Sequence, residues 1–321
     1  MTAEGGEPRG ESAPPGDAVT VAYVHSNDVA YSWHHSMVEM IGYDMAREGR
    51  IIRGGYIAMR CGATGLVEAR NGTVREFLGG HAADWLLWLD TDMGFPADLC
   101  EQLLMAADPA ERPIVGALCF SQRETESDGM GGWRCLAVPT IFDWARLPSG
   151  RAGFLVRWDY PRDTVVQCAG TGSAAVLVHR SVFERIAEGK PDGWAHWYDM
   201  APNPTTGQLI GEDLSFCARA GALGIPVYVH TGVPTSHAKR LWLSESDYHR
   251  ERLTDPSAIL RGGSSSVLFG KPVELKAAWP EGRPDGMSEE EMAHAADMMD
   301  AERGRLADSA VREPEPAGSP A

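Results

Sequence analysis

The chain has 321 residues, 43% hydrophobic and 23% charged, the balance of a soluble globular protein with room for one large domain or two small ones. Its mean hydropathy is −0.25 and no run approaches the ~20 apolar residues of a membrane helix, which speaks against a membrane span. A formal net charge of −16 argues against a general nucleic-acid binder, because phosphate backbones attract clustered Lys and Arg.

Residues 1–17 are rich in Gly, Pro, Glu and Ser and read as a disordered tail with no apolar run of the signal-peptide kind. Order is expected from Val19–His25, an apolar, β-branched strand. Met37, Ile41 and Met45 then recur at helical spacing. Arg50–Met59 reads as a second strand with an awkward Gly54-Gly55 pair, and Leu66, Val74, Phe77 and Leu78 as a second helical face. Asp84–Asp90 is the clearest strand, its near-continuous apolar run suiting a strand covered on both faces. Pro96 opens the next helix, with Leu99, Leu103 and Leu104 inward, and Pro113–Phe120 is another buried strand. This alternation predicts a doubly wound α/β fold.

Residues 121–134 are polar and Gly-rich and read as a mobile loop carrying Trp133 as a lid candidate. Short strands are expected near Val138–Phe142 and Phe154–Trp158, a helix over Ser181–Glu188, and a long aromatic, Pro-rich loop over 189–210. A helix over Glu212–Ala222 and a strand over Pro226–His230 follow. Ser288 with Glu291 resembles a capping box for a short helix through Leu306. Six Cys, at 61, 100, 119, 135, 168 and 217, include no Cys-x-x-Cys pair and read as buried thiols in a reducing, cytoplasmic setting. The tails carry much of the charge, −3 over residues 1–17 and −7 over 281–321, which leaves −6 for the body.

The chemistry gathers at Asp90-Thr91-Asp92, just past the strongest strand, where ligands of open α/β sheets bind. Two carboxylates one residue apart suit a hard divalent cation that also touches substrate phosphates; the plainer reading is a pair of turn-forming Asp residues before the Pro96 helix. Glu212-Asp213 reads either as N-terminal helix capping or as a general base with an electrostatic neighbour. His237 lies in a polar loop after the last strand and matters only if the fold returns it to Asp92. Trp194 and Trp197 are candidate sugar-stacking faces, or anchors of their own loop. Gly170-Thr171-Gly172-Ser173 lacks the features of a phosphate loop and reads as a place of close backbone approach.

Taken in order, Ala69-Arg70-Asn71, the run Ala83-Asp84-Trp85-Leu86-Leu87-Trp88-Leu89-Asp90-Thr91-Asp92-Met93, Gly211-Glu212-Asp213-Leu214-Ser215-Phe216-Cys217 and the late His237 resemble the core of GT-A fold glycosyltransferases. The likeness is to the family 2 type and to such enzymes of bacteria and their phages, and it covers roughly residues 19–240. It implies a Rossmann-like doubly wound mixed sheet in one main domain over 18–245, with a nucleotide-binding half (18–120) and an acceptor half (121–245). A C-terminal extension (246–280) and an acidic tail (281–321) would follow. It also implies Mn²⁺ or Mg²⁺ on Asp92, Asp90 and His237, and a nucleotide-sugar donor near Ser26, Asn27, Arg70, Asn71 and Asp90. Asp213 would act as base beside Glu212. The acceptor, a protein, glycan or small molecule, would lie against Trp194 and Trp197. Lys239 would add charge near the phosphates or stay solvated.

The sequence departs from the family in lacking a Gln-x-x-Arg-Trp motif after the acidic pair, which puts processive synthesis in doubt. Three other readings stand beside this one: a haloacid-dehalogenase-type phosphotransferase, a nucleotidyltransferase, and a carbohydrate- or nucleotide-binding protein without turnover. The first is disfavoured, because its Asp-x-Asp normally falls on the first strand.

Overall fold

The computed structural model describes residues 18–240, apart from 64, 128, 130, 147, 192 and 204. The expected tails, the C-terminal extension and the helix from Ser288 lie outside the described residues, as does the side chain of Trp133.

Seven strands form the central sheet: β1 (Val19–His25), β2 (Tyr56–Arg60), β3 (Trp85–Leu89), β4 (Ile114–Leu118), β5 (Val165–Cys168), β6 (Ala175–His179) and β7 (Val227–Pro234). Their spatial order is β5-β7-β4-β6-β3-β1-β2. β1 runs parallel to both β2 and β3, and β7 parallel to β4. β6 is antiparallel to both its neighbours, and β5 to β7. The sheet is therefore mixed, as expected. Five helices pack on it: α1 (Tyr31–Met45), α2 (Gly65–Gly80), α3 (Leu99–Ala106), α4 (Arg180–Ala187) and α5 (Glu212–Ala222).

Side-chain alternation along β3 divides the core. Trp85, Leu87 and Leu89 join Trp33, Met37 and Met40 of α1 and Leu99 and Leu103 of α3 on one face. Leu86 and Trp88 join Phe77 of α2, Phe183 of α4 and Phe216 of α5 on the other. All five β3 residues are buried, which explains the unbroken apolar run.

Three details correct the sequence reading. α1 turns Trp33, Met37, Met40 and Asp44 inward, leaving Met45 64% exposed rather than on the buried stripe. The second strand begins only at Tyr56, because the chain first passes close to β1 at Gly54, where a Cβ would sit 2.9 Å from the Val19 carbonyl oxygen. The polar stretch after Phe120 is a hairpin, Phe120–Ser127 paired antiparallel with Trp133–Pro139. Its first strand is polar after Phe120, so it shows no apolar alternation, and the turn itself is marked by Gly129 (φ 78°) and Gly131 (φ 93°).

Buried thiols match expectation at Cys100, Cys119, Cys168 and Cys217, where burial pushes Cys119 and Cys168 up to about 12; Cys61 and Cys135 are half-buried. Among the described residues no helix is long and apolar enough to cross a membrane.

Arg180, the first residue of α4, closes the far end of α2. Its guanidinium lies within hydrogen-bonding distance of the carbonyls of Phe77, Leu78, His81 and Ala83 and stacks 4.4 Å from the centre of the Phe77 ring. Phe77 and Leu78 lie in the last turn of α2 and His81 and Ala83 just beyond it, so the guanidinium adds donors where a helix end is short of them. Arg180→Ala is expected to lower stability by about 2–3 kcal/mol, read by urea denaturation, with Arg180→Lys recovering part. An unchanged midpoint would show that water replaces the guanidinium without cost.

Candidate active site

The parallel strands β1 and β3 end side by side. Beyond them the backbone is pinned: Ala30 N–H donates to the Thr91 carbonyl (2.9 Å) and Asp90 N–H to that of Ala174 (2.8 Å). These bonds hold Asp90-Thr91-Asp92 at the carboxyl edge of the sheet, next to the exposed Ser26-Asn27 loop. That loop is tied to β2 by Arg60, whose Nη2 donates to Asn27 Oδ1 (3.3 Å). Arg60 gave no signal in the sequence, because its neighbour lies 33 residues away.

Asp90 and the Glu212-Asp213 pair share one cation. Arg70 projects from α2 with 2% of its side chain exposed and donates Nη2 to Asp90 Oδ1 at 3.0 Å. The same Nη2 lies 3.6 Å from Asp213 Oδ1, and Nε lies 3.8 Å from Glu212 Oε1. Both separations are ion-pair contacts too long for hydrogen bonds. Arg70 Nε and Nη1 and Asp213 Oδ1 are buried without a hydrogen-bond partner among the described residues. The guanidinium lies 5.2 Å from the centre of the Trp88 ring and 5.7 Å from that of Tyr198.

Burial alone would lower the Arg70 pKa, but Asp90, Asp213 and Glu212 raise it above its ordinary value, so the side chain is a permanent cation. Burial raises the Asp90 carboxyl; Arg70 works against this, and the charges of Asp213 and Asp92 add to it. Glu212 is raised by burial first and by Asp213 next, again against Arg70.

Asn71, the neighbour of Arg70, does something else. It is fully buried, and its amide exchanges two hydrogen bonds with the Tyr198 backbone, Nδ2 to the carbonyl (2.9 Å) and Oδ1 from the N–H (3.0 Å). It clamps the loop before α5 against α2 and leaves no side-chain group for a nucleotide, contrary to the expectation for Asn71. Trp197 is likewise buried, with its indole N–H donated to the Phe183 carbonyl (2.8 Å). It packs in the core and offers no face to an acceptor. Trp194 is half-buried, 5.4 Å from the Trp197 ring, with Lys190 over its own ring at 5.8 Å. The aromatic loop is thus fastened by its own rings, and Tyr198 becomes a wall of the Arg70 pocket.

At Gly170 a Cβ would meet Leu214 at 2.9 Å and Phe154 at 3.0 Å, so this glycine allows the close approach of α5 expected there. The start of α5 places Glu212 and Asp213 in its first turn, where carboxylates meet the positive end of the helix dipole.

Asp92 is gripped by the end of the described chain. Ser236–His237 pairs antiparallel with Met93–Gly94, and Ala238 N–H donates to the Asp92 carbonyl (2.7 Å). Gly94 permits this approach, since a Cβ there would fall 2.5 Å from Ser236 Oγ. The fold therefore does return His237 to Asp92, with Nε2 3.0 Å from Asp92 Oδ1. His237 Nδ1 lies 2.7 Å from the Phe120 carbonyl oxygen, a pure acceptor, so Nδ1 carries a proton. Lys239 Nζ donates to Asp92 Oδ2 at 2.7 Å, so it is not merely solvated. Burial would raise Asp92, but His237 and Lys239 outweigh it and hold the carboxyl at about 2.

In the neutral His237 tautomer, Nε2 presents a lone pair to a carboxylate oxygen, and that nitrogen is buried without a hydrogen-bond partner among the described residues. The 3.0 Å separation is met either by a second proton on Nε2, which makes the contact an ion pair, or by a cation beside a neutral ring. An N/O donor pair, with the other imidazole nitrogen held by a carbonyl, has the composition of a transition-metal or Mn²⁺ half-site. Among the described residues no group of three or more His, Cys, Asp and Glu side chains is already gathered for a metal. Asp90 turns to Arg70 and is not drawn in with Asp92 and His237.

No family model and no curated protein matches the chain. Among solved structures it is similar to A197 from STIV, at 14% identity and TM-score 0.41, covering 70% of this chain and 86% of that one. It is also similar to GalNAc-T7, solved with UDP, GalNAc and Mn²⁺, at 13% identity and TM-score 0.42, covering 70% of this chain and 44% of that one. Neither likeness assigns a residue or an activity here.

Proposed function

We propose that the chain is a metal-dependent glycosyltransferase that moves a sugar from a nucleotide-sugar donor to an acceptor hydroxyl. The observation that carries this reading is the facing pair of Asp92 Oδ1 and His237 Nε2, 3.0 Å apart at the carboxyl edge of β3. A proton on Nε2 would also relieve the contact; with Nδ1 held by the Phe120 carbonyl, Nε2 is the nitrogen that could serve as a ligand. Asp92 and His237 are the residues that would hold Mn²⁺ or Mg²⁺, with Asp90 helping through the ribose or a metal-bound water. When bound, such an ion stabilises the diphosphate that leaves the donor.

In this reading the half over 18–120 receives the nucleotide, with Ser26 and Asn27 on the exposed rim beside Arg60. The half over 121–245 receives the acceptor. Asp213 takes the proton of the acceptor hydroxyl as its oxygen bonds to the anomeric carbon, while the bond from that carbon to the diphosphate breaks. Glu212, whose carboxyl is pushed up by burial and by Asp213, stands beside it as an electrostatic neighbour. Arg70 holds Asp90 and Asp213 in place from below. Trp194, half-buried, is the remaining candidate for contact with the acceptor.

A thermal-stability panel of nucleotides and nucleotide sugars, with and without Mn²⁺, tests this. A ligand at 100 times its Kd adds about 2.7 kcal/mol. One nucleoside diphosphate or its sugar is expected to stabilise the protein only with metal, and Asp92→Ala to abolish the shift. If nothing in the panel binds, the donor-site reading fails, and Asp90 and Asp92 are turn residues.

A further inference from the structure

We infer that Lys239 is a built-in counter-ion of Asp92 that a divalent cation must displace, so that the site exchanges an internal ammonium for a metal. The inference deepens the proposed function and rests on its metal reading. Its basis is the register of the strap at 236–239. His237 and Lys239 stand two residues apart on extended chain, a spacing that sends side chains the same way. Here both reach one carboxylate: His237 takes Oδ1 at 3.0 Å and Lys239 takes Oδ2 at 2.7 Å. The backbone bridge of Ser236–His237 to Met93–Gly94 and the bond from Ala238 N–H to the Asp92 carbonyl fix that register.

The charge pattern gives the exchange its reason. Asp90, Asp92, Glu212 and Asp213 crowd one edge of the sheet. Arg70 is the cation that serves Asp90, Glu212 and Asp213. Asp92 has Lys239, whose side chain is 36% exposed, beside its own 40%. An ammonium in contact with one carboxylate oxygen and a divalent ion on the other would repel each other at close range. The ammonium sits on a flexible stem at the rim, so it is the group that moves. Metal-free, Lys239 neutralises Asp92; metal-loaded, it is released toward the opening.

Mn²⁺ binding to the full-length protein, measured by electron paramagnetic resonance of the free ion, tests the exchange. Lys239→Gln is expected to bind Mn²⁺ about three- to fivefold tighter than the parent, the scale of one rim ion pair. Arg240→Gln removes an equal charge one residue on and is expected to stay within about twofold of the parent. Metal-free Lys239→Gln should melt below the parent, and the Mn²⁺-saturated proteins together. Unchanged or weaker Mn²⁺ binding by Lys239→Gln overturns the exchange, as does equal tightening by Arg240→Gln. Asp92→Ala separates the two levels. If it binds Mn²⁺ as the parent does, or if neither parent nor Lys239→Gln binds any, the metal reading itself falls, and the exchange with it.

Discussion

Arg70→Met is expected to lower stability by about 3–5 kcal/mol, because it strips three carboxylates of the cation they share. Methionine approximates the volume of the stem and can still lie against Trp88 and Tyr198, so lost packing is a small part of the effect. The large part is Asp90, Glu212 and Asp213, left facing one another in a partly buried site. The sign with pH follows. Asp90 and Glu212 already bind protons more tightly in the folded state, by burial and by neighbouring charge, even with Arg70 opposing this. For carboxyls raised in this way, stability is fully present below the unfolded pKa and is lost as pH rises through the folded one. Removing Arg70 raises them further. The gap between variant and parent should therefore narrow from about pH 7 to about pH 5, measured by chemical denaturation at each pH. Asp92, held at about 2, acts in the opposite sense: its contribution is present above about 4 and fades between there and about 2, below the window used. Arg70→Lys keeps the charge without the fork that reaches all three carboxylates, and should fall between. A gap that is constant with pH would mean that Arg70 acts through packing.

What could be read from the sequence was whatever depends on local pattern. β3 announces itself because a strand covered on both faces must be apolar at every position. Glu212-Asp213 announces a helix start because carboxylates favour that end. The hairpin after Phe120 was missed because its first strand, Phe120–Ser127, is polar after Phe120 and carries no apolar alternation. The roles of Asn71 and Trp197 were missed for another reason. A buried amide and a surface amide look alike until the partner is known, and the partner of Asn71 is the backbone 127 residues further on. Arg70 and Asn71 are adjacent on one helix and both fully buried, yet one faces charge and the other a peptide group. Nothing in their order says which. The pairing of His237 with Asp92 was anticipated through family likeness. Its geometric cause, the glycine at 94 that lets the strap approach, becomes visible only in three dimensions.

Asp213→Asn is expected to reduce sugar transfer by about 10²–10⁴-fold while leaving Mn²⁺-dependent nucleotide binding within about twofold of the parent. The substitution keeps shape and removes only the ability to take a proton. Asp213 is the better candidate of the acidic pair on three counts. Its side chain is 29% exposed against 17% for Glu212, so it faces the opening. Its Oδ1 is the buried oxygen that faces Arg70, which leaves Oδ2 as the oxygen for a substrate. Opposite it stands Gly172, where even a Cβ would lie 3.8 Å from Asp213 Oδ2, so a bare backbone borders the carboxylate and leaves room for a hydroxyl. Glu212→Gln should cost less, because its side chain is the more enclosed of the two. Release of nucleoside diphosphate from the donor, with water as acceptor if no better one is found, supplies the assay. The split matters more than the size: lost turnover with preserved binding marks an interaction made in the transition state alone. If binding and turnover fall together, Asp213 belongs to the donor pocket, and the base must be sought elsewhere along the edge of α5.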